Sequence, residues 1–440
     1  GQFYSTIDFD PGPGVFNLST TGSSDCFVLK LDTDGNFLWA KSFGGTSGDG
    51  ATAVHLDPWG NVIVVGEFKG TADLDPNEGV YMKTALGSTD FFVCKLTSSG
   101  ETVWVESFGG INADTATGVA VDQAGDIFVI GNFSSTVDFD PSGGDYSITP
   151  AASTGYLLKL NPAGQLIWVR KMMNSTSNSN RSYPTSLTLD SNGNPCVSGH
   201  FSGTLSLDPN SSSSDFTLFV AGNTDVFVAK WKSNGDFIWS KHIGGTLRMN
   251  NRGISVDALD NVYSTGHFHG VIDFDPSSSV YNVTSSGGFD VYISKLDANG
   301  DFVSAGNIGG SETDYCQGMA ISSAGNVFVV GYYFGNADFD PSANVQRINS
   351  AGTAISRPDV FITKFSPAAC QDFGVFSHEA CGSYTWINGV TYTASNNSTS
   401  HTLLGGGVNR CDSTVYLRLT INQPTNSSVV AASCGTYTWP

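Results

Sequence analysis

Apolar and polar residues alternate with a period of two along most of the chain, in short runs that stop at glycine-bearing turns. That alternation is the mark of half-buried strands, and no stretch carries the i, i+3, i+4 spacing of an amphipathic helix. The runs come in a fixed order. A first strand such as Ala53-Val54-His55-Leu56-Asp57 or Gly118-Val119-Ala120-Val121-Asp122 ends at a Gly-Asn or Gly-Asp turn, a hairpin signal. A second strand follows at once, as in 61–68 (NVIVVGEF) and 326–333 (NVFVVGYY). A third carries D-x-F-V-x-K-L, at 25–31, 90–96, 225–231, 290–296 and 359–365. A second glycine turn opens a fourth, typified by Phe37-Leu38-Trp39-Ala40-Lys41, which ends at Gly-Gly.

A tetrad between the second and third strands fixes the period. Asp8-Phe9-Asp10-Pro11 recurs as Asp73-Leu74-Asp75-Pro76, Asp138-Phe139-Asp140-Pro141, Ser206-Leu207-Asp208-Pro209, Asp273-Phe274-Asp275-Pro276 and Asp338-Phe339-Asp340-Pro341, at spacings of 65, 65, 68, 67 and 65 residues. Four antiparallel strands in each such unit, repeated radially, predict an all-β fold with a β-propeller over residues 1–368. A solenoid is the rival, but its coils are shorter, about 20–30 residues, and need no four-strand meander. Each blade needs neighbours on both faces, and ring closure supplies them. Gly1-Gln2-Phe3 aligns with Gly131-Asn132-Phe133, and the sixth copy lacks its Trp-bearing strand. A mixed blade joining the two ends, or a further blade upstream, completes the ring, so six and seven blades both remain open.

The run Gly-Gly, Ala-x-x-Val-x-Val-Asp, Gly-Asn-x-Phe-Val-x-Gly, Asp-x-Phe-Val-x-Lys-Leu and Gly-Asn-Phe-x-Trp resembles the bacterial β-propeller repeat family labelled SBBP, over residues 1 to about 366. The D-x-D-P tetrad departs from that pattern. The resemblance implies export and surface display and no particular reaction.

From Cys370 the period changes. Ala380-Cys381-Gly382-Ser383-Tyr384-Thr385-Trp386 returns as Ser433-Cys434-Gly435-Thr436-Tyr437-Thr438-Trp439, 53 residues on, and Val415, Leu417, Leu419 and Ile421 alternate onto one face. This predicts a small immunoglobulin-like β-sandwich over 369–424 and the start of a second copy at 425–440. The module resembles the Thr-rich tandem modules of giant Bacteroidota surface proteins and adhesins exported by the type IX pathway, through Cys381 to Trp386 and Cys411-Asp412-Ser413-Thr414. Cys381 and Cys411 are candidates for a disulfide in an exported protein, with two separate thiols as the alternative. Cys26, Cys94, Cys196 and Cys316 occupy non-equivalent repeat positions and read as buried apolar residues. Asp114-Thr115-Ala116 and Asp412-Ser413-Thr414 match the short O-glycosylation motif of such proteins.

Candidate chemistry centres on acids. Residues i and i+2 of a strand share a face, so the pairs Asp8/Asp10, Asp73/Asp75, Asp138/Asp140, Asp273/Asp275 and Asp338/Asp340, with Asp208 alone in the fourth copy, are candidate ligands for Ca2+ together with the aspartate opening strand three. The alternative gives them turn capping, or ion pairs with the recurrent lysines Lys30, Lys95, Lys159, Lys230, Lys295 and Lys364. No D-x-D-x-D-G loop is present. A second candidate set is the x of G-x-F, namely Gln2, Glu67, Asn132, His200, His267 and Tyr332, which ring symmetry places at one level, where it would line a shared opening and bind a glycan or small ligand; the alternative is an exposed, unconstrained position. His200, His267 and His269 lack the close spacing of a transition-metal site.

Composition narrows the function. A formal net charge of −20 repels nucleic acid, and no apolar run of 18 residues exists to span a membrane. No signal peptide is legible, so the chain reads as a mature or truncated piece. G-x-S-x-G and H-E-x-x-H are absent. Departures from the repeat at 172–184 and 246–252 read as loops, and Trp39, Trp104, Trp168 and Trp239 read as packing between blades, with Ser304 in their place in the fifth copy. The expectation is a non-catalytic structural or adhesive segment of a large exported surface or filament protein, whose partners are neighbouring copies, other surface proteins or glycans. A carbohydrate-binding propeller is the first alternative and a propeller hydrolase or lyase the second.

Overall fold

A computed structural model describes residues 1–77, 79–150, 152–172, 181–207, 217–219, 224–341, 346–350, 358–365, 372–381, 383–385, 390–395, 400–403 and 413–422. Among them every regular element is a strand, and no helix is long and apolar enough to cross a membrane. The chain divides into two compact units, Gly1–Lys364 and Phe365–Pro440.

The larger unit is a β-propeller. Its repeating sheet is a four-strand meander, seen in Gly50–Leu56, Val62–Phe68, Asp90–Leu96 and Thr102–Phe108. The same order recurs from Thr115–Val121, from Arg181–Leu189 and from Met249–Val256. The opening sheet holds Gln2–Phe3, Asp25–Leu31 and Phe37–Gly45, and the last holds Tyr315–Ile321, Val327–Tyr333 and Asp359–Phe365. First strands of successive sheets pack against one another, so they lie nearest the common centre and the Trp-bearing fourth strands lie outermost.

Alternation along a strand explains the stacking. On Val62–Phe68, Ile63 and Val65 join a core with the following sheet, while Val62, Val64 and Phe68 join a core with the preceding one. Each face therefore removes apolar surface from water, about 1.5–3 kcal/mol for a fully buried Val, Ile or Phe. The turn between strands one and two closes on its aspartate: Asp57 Oδ1 accepts the amides of Trp59 and Asn61, and Gly60 takes φ 83°. That left-handed φ favours glycine.

Three devices join sheet to sheet. First, the Trp of strand four reaches a carbonyl of the next sheet, and at three junctions the Lys beside it reaches the same one: Trp39 Nε1 and Lys30 Nζ donate to Ser98 O, Trp104 Nε1 and Lys95 Nζ to Pro162 O, and Trp168 Nε1 and Lys159 Nζ to Ser233 O, while Trp239 Nε1 donates to Ala298 O. The tryptophans are thus the inter-blade packing that their recurrence predicts. Second, a one-residue bulge in the first strand turns Thr52 onto Ala116 O (2.7 Å) and Thr117 onto Pro184 O (2.8 Å). Third, Gly-Gly ends the fourth strand because the next sheet's short hairpin pairs there: Gly45 faces Ala72, and a Cβ on Gly45 would lie 2.2 Å from Thr71 O.

In the smaller unit, Asp372–Cys381 runs parallel to Ser413–Asn422, which pairs antiparallel with Ser400–Leu403, and Tyr384–Thr385 pairs with Thr391–Tyr392. Of the candidate disulfide, Cys381 ends the first of these strands and Cys411 lies outside the described residues, as do Asp208 and the repeat at 425–440.

Candidate functional site

The tetrad aspartates organise their own loop. The first closes a short strand and its Oδ1 accepts two backbone amides, for Asp8 those of Asp10 and Phe16, for Asp73 those of Asp75 and Tyr81, and likewise at Asp138, Asp273 and Asp338. The second caps the next turn, with Asp10 Oδ1 on the Gly12 amide, Asp75 on Asn77, Asp140 on Ser142 and Asp275 on Ser277. The residue between them, Phe9, Leu74, Phe139, Leu207, Phe274 or Phe339, is buried.

The recurrent lysines choose other partners than the tetrad. Lys95 pairs with Asp57 at 3.0 Å, Lys159 with Asp126 at 2.9 Å and Asp122 at 3.5 Å, Lys230 with Asp190 at 2.8 Å and Lys295 with Asp257 at 3.5 Å. Asp57, Asp122, Asp190 and Asp257 follow the first strand of the same sheet, two strands away, and Asp126 immediately precedes the second. Among the described residues no group of three or more His, Cys, Asp or Glu side chains converges.

The G-x-F positions sit on second strands, and all but Gln2 stand opposite a residue at the start of the first strand: Glu67 faces Gly50, Asn132 faces Thr115, His200 faces Tyr183, His267 faces Asn250 and Tyr332 faces Tyr315. They share one end of the propeller but differ in character around it. On one side are polar groups: exposed Gln2 donates to Tyr4 Oη, half-buried Glu67 has its carboxyl pushed up by burial, and Asn132 donates to Ser182 O of the next sheet. On the other side a file of rings runs across two sheets. His269 meets Phe289 (5.9 Å between centroids), which meets His267 (5.3 Å) and Tyr315 (5.9 Å); Tyr315 stands 5.0 Å from Tyr332, which touches Phe334. In the neighbouring sheet Tyr183 stacks on His200 at 5.2 Å.

Both imidazoles are neutral at pH 7. Burial, then the nearby Arg252 and Arg248, pushes His200 down to about 4 and His267 to about 3. His267 Nε2 contacts the Asn250 amide at 3.0 Å, and Nδ1 of both rings has no protein partner. Arg252 is exposed because it occupies the bulge that Thr52 and Thr117 fill elsewhere. Sequence reasoning found the G-x-F residues and missed their neighbours Tyr183, Phe289, Tyr315, Arg248 and Arg252. The clue lay in the repeat itself, since Tyr183 and Tyr315 stand where other copies have Gly50 and Thr115.

An apolar cavity of about 600 Å³ lies between the first two sheets, lined by Phe27, Leu29, Trp39, Val54, Leu56 and Val62. Cys26, Cys94, Cys196 and Cys316 are wholly buried free thiols, and burial raises Cys196 to about 12 and Cys316 to about 11.

No family model matches the chain. It is 24% identical over 450 residues to an uncharacterized WD repeat-containing protein of Acanthamoeba polyphaga mimivirus, covering 88% of this chain and 31% of that protein. It is 32% identical over 127 residues to the regulatory protein FlaEY of Caulobacter vibrioides, covering 28% of this chain and 13% of that one. The chain therefore spans less than a third of the length of these relatives. Among solved structures, a gluconolactonase of Xanthomonas campestris aligns over 74% of this chain and 82% of its own, with TM-score 0.32 and 13% identity. A glucose dehydrogenase aligns over 64% and 93%, with TM-score 0.28 and 8% identity.

Proposed function

We propose that this chain is a non-catalytic, adhesive segment of a larger exported surface protein, and that the ring-lined end of its propeller is the contact for a saccharide. The observation that carries this reading is the file of half-buried rings from Phe289 through Tyr315 and Tyr332 to Phe334, bordered by Arg248 and Arg252. Aromatic faces present apolar area with little side-chain entropy to lose, which suits the C–H faces of a pyranose. Neutral imidazole nitrogens and guanidinium donors beside them suit its hydroxyl or acidic groups. His200 and His267 have rings, an amide and guanidiniums as neighbours, the groups of a recognition surface.

A glycan array followed by titration calorimetry tests the reading. Tyr315→Ala and Tyr332→Ala are expected to weaken saccharide binding at least tenfold while leaving the unfolding transition in place. Undiminished binding in both variants, or no glycan bound at all, overturns it. Surface display is checked separately by protease shaving of intact cells that produce the parent protein.

A further inference from the structure

Where one sheet gives way to the next, the same three positions meet. The first opens strand three, the second precedes strand one of the next sheet, and the third lies on strand four, opposite the residue two beyond the first position. In three junctions they read Asp25, Asp49 and Ser42; Asp90, Asp114 and Ser107; Asp290, Asp314 and Asn307. The fourth strand bends to meet them at glycine. A Cβ on Gly44 would stand 2.9 Å from Asp25 Oδ1 and 3.0 Å from Asp49 Oδ2, and one on Gly309 would stand 2.8 Å from both Asp290 Oδ1 and Asp314 Oδ2. A Cβ on Gly109 would lie 2.0 Å from the Asp90 carboxyl carbon. The acids occupy the side-chain space of that residue.

These carboxylates are deep: Asp49, Asp114 and Asp314 each accept two backbone amides, whereas the acids that open strand three are incompletely satisfied. Asp25, Asp49, Asp90, Asp114, Asp290 and Asp314 are at most 4% exposed. Asp25 Oδ2 accepts from Thr21, Asp90 Oδ2 from the Leu86 amide and Asp290 Oδ2 from the Ser286 amide and Asn307. Oδ1 of all three accepts no hydrogen bond, and at Asp25 and Asp290 it shares the space beside the glycine with Oδ2 of the partner acid. Two buried negative charges without a counter-charge are costly.

The other two described junctions vary in concert. Where the second acid is replaced by Met249, His242 stands at the third position, 2.7 Å from Asp225. Where both acids are lost, to Thr154 and Ser182, the third position is Lys171 and the glycine is replaced in sequence by Met173. A side-chain cation thus stands at the third position at these two junctions, where the acid pairs have Ser42, Ser107 and Asn307, and the third position of an acid pair offers no positive charge.

We propose that each of the three acid pairs, Asp25/Asp49, Asp90/Asp114 and Asp290/Asp314, binds a hard divalent cation of the Ca2+ type, which clasps one sheet of the propeller to the next. The donors are all oxygen, the preference of hard cations. Two carboxylates leave the remaining coordination to peptide carbonyls and water, which places the affinity with weak extracellular modules, at dissociation constants of about 10⁻⁴–10⁻³ M. These sites are separate from the tetrad, whose carboxylates are held by their own loop amides.

Equilibrium dialysis of the full chain against radioactive Ca2+, paired with calorimetry in chelator and in millimolar Ca2+ or Mg2+, tests the proposal. The expected result is three ions per chain and a higher unfolding midpoint with Ca2+. Asp90→Asn and Asp290→Asn should each lower the count to two, and the double variant to one. Asp225→Asn, at the junction that carries His242, should leave three. Asp90→Asn places an amide donor toward Asp114 and should fold without calcium, so loss of stoichiometry is not confused with loss of structure. Binding unchanged in the two single variants overturns the proposal. So does a chain whose stability ignores calcium and rises only on acidification, which assigns the pairs a shared proton instead.

Discussion

At the scale of single residues, the acid pairs tie protonation to stability. Burial, with the neighbouring acid adding at Asp114 and Asp314, pushes Asp90, Asp114, Asp290 and Asp314 up to about 6. An unfolded aspartate titrates near about 3.9. The folded chain therefore binds the extra protons, and this contribution is fully present below the unfolded value and lost as pH rises through about 6. In chelator, Asp90→Asn should stabilise the protein at pH 7.5 and change little at pH 4, since wild-type Asp90 is protonated there. Urea unfolding at the two pH values measures this, and an equal effect at both would show that the charge of Asp90 does not matter. The imidazoles run the other way: His200 and His267 contribute stability above the unfolded histidine value, lost as pH falls through about 4 and about 3.

At the scale of elements, the lysine of strand three is the hinge-pin between sheets. Lys95 is 6% exposed and its charge is met by buried Asp57, which in turn holds the strand one to strand two turn. Although burial opposes it, the Asn61 side chain and the Lys95 ammonium keep Asp57 below the usual carboxylate range. Lys95→Met leaves that carboxylate buried and unpaired, at an expected cost of about 3–5 kcal/mol. Trp104→Phe forfeits the indole bond to Pro162 O, about 1 kcal/mol, together with part of the ring area packed against the core. A double-mutant cycle of Lys95→Met with Asp57→Asn should recover part of the loss, and additive losses would refute the pairing. The sequence showed these lysines as a column and could not show their partner. Several aspartates recur at the same period, and only the register of the meander sets Asp57 beside Lys95 and leaves Asp73 with its loop.

At the scale of the molecule, stability is spread along the stack, since each sheet buries its two faces against its neighbours and its first strand is stitched to the next. The smaller unit has its own strand pairing. A chain ending at Lys364 is therefore expected to unfold at the same calorimetric midpoint as the full chain, with the same calcium response. A midpoint lowered by several degrees would mean that the propeller draws stability from residues beyond it. Repetition also explains how the ring-lined end arises: one position per repeat, varied freely between Gly50, Thr115, Tyr183, Asn250 and Tyr315, converts a common scaffold into a surface with a polar and an aromatic side.

The amino-acid sequence by itself determined the strands, their turns, their four-fold grouping and the radial repeat, because alternation, glycine position and period are local properties that survive in one dimension. It also marked Trp39, Trp104, Trp168 and Trp239 as packing and the G-x-F column as a shared level. Only the tertiary structure decided which charges meet. Asp90 and Asp114 lie 24 residues apart, in different sheets and with no motif that joins the two, and they meet where a glycine ends strand four. The tetrad acids, the most conspicuous in the sequence, are engaged by their own backbone, since a carboxylate two residues from a tight turn finds amide donors before it finds anything distant.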